Sequence, residues 1–221
     1  MNRIENDDLC RTVEHMIPQV SVAITRNNGE GDFHVCRKCN GEKSKIDDIL
    51  GITCRMVGGH PTGSLEAIQK FRQRLEKNDR RFNAAFNSHR LTSLGHCISL
   101  PLNRKQLFQY GEWLAKGVFF INTGQLLSNQ YLLWVEIISH AEVLAIKEYY
   151  KRKIGSEAFD DLSKNNNFPN INGESFILNN GDSKEIMVCF NRTLIFHMKL
   201  LENNRINQTL CNQAWRKLHV R

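Results

Sequence analysis

The chain has 221 residues, 41% hydrophobic and 24% charged, which excludes wholesale disorder and allows one large domain or two small ones around a real core. No apolar run is long enough to cross a bilayer, and the polar, acidic start from Met1 to Asp8 has no apolar signal-peptide core, so the expectation is a soluble cytoplasmic or otherwise intracellular protein with no membrane partner, unless it is exported without a cleavable signal. A formal charge of +7 points to a polyanionic partner, and seven scattered cysteines with no secretory signal read as reduced thiols or metal ligands.

Taken in chain order, Asp7 to Ile17 reads as a short helix ended by Pro18. The alternating run Gln19 to Thr25, the Asn27-Asn-Gly29 turn and Phe33 to Val35 read as a hairpin, and Ile52 to Val57 as a third strand. Within this region, Cys36-Arg-Lys-Cys39-Asn-Gly41 has the spacing and trailing glycine of a zinc knuckle, and Cys54 with His60 could complete a tetrahedral, structural Cys3His site. The alternative is a set of reduced cysteines with no metal.

After the break at Gly58, Gly59, Pro61 and Gly63, a long helix is expected from Ser64 to His89, with Leu65, Ile68, Leu75, Phe82 and Phe86 as its apolar stripe. Lys70, Arg72, Arg74, Lys77, Arg80, Arg81, Arg90, Arg104 and Lys105 face only Glu76 and Asp79 over the same stretch. Arg72, Arg74, Lys77 and Arg81 are therefore the candidate contacts to nucleic-acid or nucleotide phosphates, against the plainer reading of a solvated helix face. No helix-turn-helix or RNP signature supports base-specific reading.

Leu91 to Leu100 is strand-like around Gly95; His96 and Cys97 there would face opposite ways on a strand, so they are not a thiol–imidazole pair. Asn103 caps a helix to Lys116, ended by Gly117, and Val118 to Leu127 reads as a hairpin around Asn122-Thr-Gly124. The apolar segment from Tyr131 to Ile154 is stopped by Gly155, and Asp160 to Gly173 reads as a polar loop. Ser175 to Leu178 and Lys184 to Phe190 form a second hairpin, and His197 to Arg221 is an amphipathic helical tail.

The stretch Ser139-His140-Ala141-Glu142-Val143-Leu144-Ala145-Ile146 resembles the helix-opening motif of the zinc-dependent nucleobase deaminases, the tRNA-adenosine and cytidine deaminases among them. The resemblance is close over about ten residues and extends in outline from Gly117 to Leu201. It implies an α/β fold with a mixed sheet flanked by helices, a zinc cofactor held by His140, and Glu142 relaying protons to a base in nucleic acid or a nucleotide. The family's later Pro-Cys-x-x-Cys is missing: Cys189 is the one cysteine in place, Cys211 is too far along, and Cys189 with His197 would have to serve instead. The competing reading makes Tyr131 to Ile154 one continuous buried helix.

The expectation is therefore an N-terminal unit, residues 1–63, with a knuckle-bearing hairpin, followed by an α/β domain over 64–221 that opens on the basic helix. Its function would be that of a deaminase-like zinc hydrolase, catalytically degenerate or not. The alternative is a non-enzymatic basic zinc-knuckle protein that binds nucleic acid or a protein partner.

Overall fold

A computed structural model describes residues 11–15, 17–18, 32–57, 61–92, 95–154, 175–179 and 184–218. Its centre is a four-stranded sheet in which strand β5 (Tyr131–Ile138) lies at one edge, followed by β8 (Leu194–Glu202), β7 (Glu185–Phe190) and β6 (Phe176–Asn179). Every pairing is antiparallel, so the sheet is not the mixed one expected; the architecture is nonetheless a sheet flanked by helices. The expected hairpin of residues 175–190 is present as β6 and β7. A second hairpin joins β7 to β8 through Asn191 and Arg192, both left-handed at φ of 48° and 55°, as the mirror-image turns that suit strand twist require. The Thr193 N–H donates to the Phe190 carbonyl (2.9 Å) across it.

Alternation along the strands divides the sheet into two faces. Ile186, Val188, Leu194, Phe196 and Met198 pack with Leu107, Tyr110, Leu114 and Val118 of helix α4 (Arg104–Thr123) in the main core. The opposite face carries Met187, Cys189 and Ile195, covered by Val143 and Ile146 of helix α5 (His140–Ile154). Strand β5 passes into α5 across Ser139, which excludes the continuous helix over Tyr131 to Ile154. Helix α6 (Arg205–Lys217) packs along β5, and the residues before it, expected as helix from His197, belong to β8 instead.

Two expected strands are helical. Helix α1 (Arg37–Val57) includes Ile52 to Val57, and α4 runs past Gly117, through the expected hairpin at 118–123, to a left-handed Gly124. Short apolar runs do not distinguish strand from buried helix, and here burial on most sides decides for helix. Ile46, Leu50 and Cys54 of α1 share the main core with α4 and the sheet, and the expected division between residues 63 and 64 falls within the first turn of the next helix, Pro61–Glu76.

The long helix expected from Ser64 to His89 is two helices, α2 (Pro61–Glu76) and α3 (Arg80–Asn87). The break is local: Asn78 is left-handed, and Asp79 caps α3 by accepting from the Arg81 N–H at 2.9 Å. The buried side of the pair is Ala67, Phe71, Phe82 and Ala85. Of the expected stripe, Leu65 (64%), Ile68 (48%) and Phe86 (58%) are exposed, while Phe82 is fully buried.

At the N-terminal end, β1 (Arg11–His15) pairs antiparallel with β2 (Asp32–Cys36), where a helix was expected over 7–17. The expected strand and turn at 19–29 lie outside the described residues. A short ribbon, β3 (Arg90–Thr92) with β4 (Gly95–Cys97), follows α3. No described helix is long and apolar enough to cross a membrane.

Candidate functional site

Three places hold the candidate residues. The first is the start of α5. Both the N–H and the hydroxyl of Ser139 donate to Oε2 of Glu142, each at 2.7 Å, while the Ser139 carbonyl accepts from the Val143 N–H at 2.8 Å. This is the reaching-back half of a capping box: a carboxylate at the third helical position satisfies an orphan donor at the helix start, where the helix dipole also favours negative charge. The Ser-x-x-Glu spacing is thus accounted for by the helix itself.

Glu142 also lines an open groove of about 420 Å³ between the free edge of β5 and α6, together with Trp134, Glu136, Ser139, Gln213 and Lys217. The side chain of His140 lies outside the described residues. Cys189 is fully buried on β7, between Phe176 and Ile195 in register, and packs with Val143, Ile195, Leu178 and Met187 in an apolar cluster. His197 is two positions further along β8, with Nε2 2.7 Å from Glu185 and Nδ1 3.6 Å from Glu136. The described residues do not fit the expected zinc: Cys189 sits among hydrocarbon side chains, His197 faces carboxylates, and no three His, Cys, Asp or Glu side chains among the described residues are grouped to hold a metal ion.

His197 belongs to a polar cluster that the sequence did not single out. It lies opposite Glu136 on β5, its ring meets Trp134 edge-on with centroids 5.2 Å apart, and Lys199 is 3.0 Å from Glu185 and over the Trp134 ring. The His197 and Lys199 bonds hold the Glu185 carboxyl below the ordinary glutamate value. The alternation of β8 carried the signal, but only once the β5–β8 register was known.

The second place is the cysteine pair. Cys36 ends β2 and Cys39 lies in the first turn of α1, where its N–H donates to the Cys36 sulfur at 3.2 Å. A hydrogen bond from the Cys39 thiol, followed by the Cys39 and Lys38 N–H groups, pulls the Cys36 thiol below its ordinary value against the effect of burial. Burial, then the neighbouring Cys36, pushes Cys39 up to about 11. Cys54 is 15 residues further along the same helix, about 22 Å away at 1.5 Å per residue. It is buried in the main core, and burial pushes its thiol up to about 11. The structure therefore brings Cys36 and Cys39 together and keeps Cys54 apart from them, while His60 lies outside the described residues.

The third place is the basic segment. Arg74 bonds Asp48 of α1 at 2.9 Å, and Arg81 bonds Asp79 at 2.9 Å and approaches Asp48 at 3.6 Å. Both guanidinium groups lie about 6 Å from the centre of the Phe82 ring. These two cations join α2 and α3 to α1 instead of facing a ligand. Arg72 is paired with Glu76 in solvent, and Lys77, Arg80 and Arg90 are exposed with no ion pair among the described residues. Asp48, which takes Arg74 and borders Arg81, lies outside the segment, so the run of basic residues alone could not show the division.

Compared with family models, curated proteins and solved structures, the chain matches none.

Proposed function

We propose that this protein binds nucleic acid through the outer face of α2, α3 and the start of β3, as a non-enzymatic, largely sequence-independent contact. The observation that supports this is the distribution of charge. Residues 70–105 hold nine cations against two carboxylates, which equals the whole +7 excess of the chain. With Arg74 paired to Asp48 and Arg81 to Asp79, the cations left for the contact are Lys70, Lys77, Arg80 and Arg90. Phe86, exposed on α3 among these cations, offers a ring on which an unpaired base can stack.

The test is affinity for an oligonucleotide as a function of salt. Four phosphate contacts predict a loss of roughly 50-fold on duplex and roughly 20-fold on a single strand when salt rises threefold. Reversing Lys77, Arg80 and Arg90 to Glu should remove most of that dependence without unfolding the protein. Binding that ignores salt, or survives the reversal, overturns the proposal.

A deaminase-like activity is the second reading. Its support is the passage from β5 into a helix that opens at His140, and the place of Glu142 on the groove. Zinc that co-purifies with the protein and is lost in His140→Ala would favour it, and a metal-free protein would sink it.

A further inference from the structure

We propose that Cys36 and Cys39 form a reversible dithiol–disulfide pair that exchanges with small disulfides. The argument starts from where the chain places them. Strand β2 ends at Cys36 and α1 begins at the next residue, so a two-residue gap brings the second cysteine back over the first within a single helical turn. The Cys39 N–H points at the Cys36 sulfur at 3.2 Å. A sulfur at a helix N-terminus that accepts N–H bonds is stabilised as the thiolate, which is the nucleophile in exchange. Both cysteines are half-exposed, so an incoming reagent can reach the pair.

The hairpin side of the pair is anchored independently. The Asn40 amide donates to the Thr12 hydroxyl at 2.7 Å, which ties the first turn of α1 to β1 whatever the state of the thiols. The pair can therefore cycle without releasing the hairpin. Cys54 and Cys189 are buried, and Cys97 and Cys211 lie on elements far along the chain from this pair.

The exchange balances as follows. The Cys36 thiolate attacks one sulfur of the incoming disulfide, forming a mixed disulfide and expelling the first thiolate, which takes up the proton Cys36 lost. Cys39 gives its proton to solvent and attacks the Cys36 sulfur, and the second thiolate leaves and is protonated in turn. Two electrons pass from the protein pair to the small disulfide, which departs as two thiols.

The experiment uses the full chain, freed of metal by a chelator and titrated with oxidised against reduced glutathione, with the products read by peptide mass spectrometry. A peptide pair joined by Cys36–Cys39 is expected, still linked after cleavage at Arg37 and Lys38. Cys39→Ser is expected to accumulate one glutathione on Cys36, and Cys36→Ser none on Cys39. In the reduced protein, alkylation at neutral pH should reach Cys36 about tenfold faster than Cys39. The proposal is overturned if the wild-type pair stays reduced in the most oxidising buffer. It is equally overturned if Cys36 is alkylated no faster than Cys97, or if before chelation the pair holds stoichiometric zinc and forms no disulfide once the metal is removed. The wild-type measurements decide the matter even if a serine variant fails to fold.

Discussion

Replacing Asp47 by Ala should be among the most damaging single changes outside the sheet. Asp47 sits one turn after Lys43 on α1, with side-chain exposures of 10% and 5%, and the ammonium lies 3.0 and 3.1 Å from the two carboxylate oxygens. The Tyr110 hydroxyl of α4 donates to the same carboxylate at 2.6 Å, and the ammonium also lies over the Tyr110 ring. Burial raises the Asp47 pKa, and the attraction of Lys43 and the bonds from Tyr110 and Lys43 only partly offset it. Removing the carboxylate takes the Asp47 charge away from buried Lys43, a loss of about 3–5 kcal/mol. For a chain of this size that is a fall in Tm of about 6–20 °C. Urea unfolding should show a lower midpoint at unchanged slope. Lys43→Met with Asp47→Leu should recover most of the loss, because replacing a whole buried pair by apolar groups is near neutral. The folded-state pKa of Asp47 is raised, so its contribution is fully present below the ordinary aspartate value near 3.9 and is lost as pH rises through the folded value. Asp47→Asn should lack that decline. A cost below about 1 kcal/mol for Asp47→Ala, or a double variant no better than the single one, would refute the reasoning.

Ser139→Ala removes the hydroxyl bond to Glu142 and keeps the backbone one, so it should lower stability by about 1 kcal/mol or less, whereas Glu142→Gln, which can still accept from Ser139, should leave the melting curve nearly unchanged. Gly111→Ala on α4 would place a methyl 2.8 Å from Val135 Cγ1; the clash outweighs the gain in helix propensity, giving a net loss of about 1 kcal/mol in urea unfolding. Glu185 has a depressed pKa, so its contribution is present above the ordinary glutamate value and is lost as pH falls through the folded value. Glu185→Gln should therefore be less stable than wild type at neutral pH, and the two midpoints should converge in acid.

The passage from β5 to α5 was legible because local chemistry marks it. The helix opening at His140 is marked by its own residues, and Ser139 with Glu142 supplies the reaching-back half of a capping box there, whereas Tyr131 to Ile138 is apolar without alternation and leaves a continuous helix open. The β6–β7 hairpin was legible for the same reason, with Asn-Asn-Gly between two alternating runs. Both halves of α1 were not. Cys36-x-x-Cys39 has the same spacing in a knuckle and in the first turn of a helix, and Ile52 to Val57 is apolar on too many sides to betray a period. What separates these readings is the packing of α1 against α4 and the sheet, a tertiary fact.

The basic segment shows the same limit at the level of function. Nine cations in 36 residues are plain in the sequence, but a cation's availability also depends on carboxylates from elsewhere in the chain. Asp48, 26 residues before Arg74, takes that arginine and borders Arg81, while Lys77 and Arg80 lie between them in sequence and face outward. The two sets must therefore answer differently to charge reversal. Reversing Arg74 or Arg81 sets a carboxylate against Asp48 at the α1–α2 contact and lowers stability first, with binding lost as a consequence. Reversing Lys77 or Arg80 leaves the melting curve in place and lowers affinity and its salt dependence directly. A surface whose two sets of cations could not be separated in this way would be a solvated helix face and nothing more.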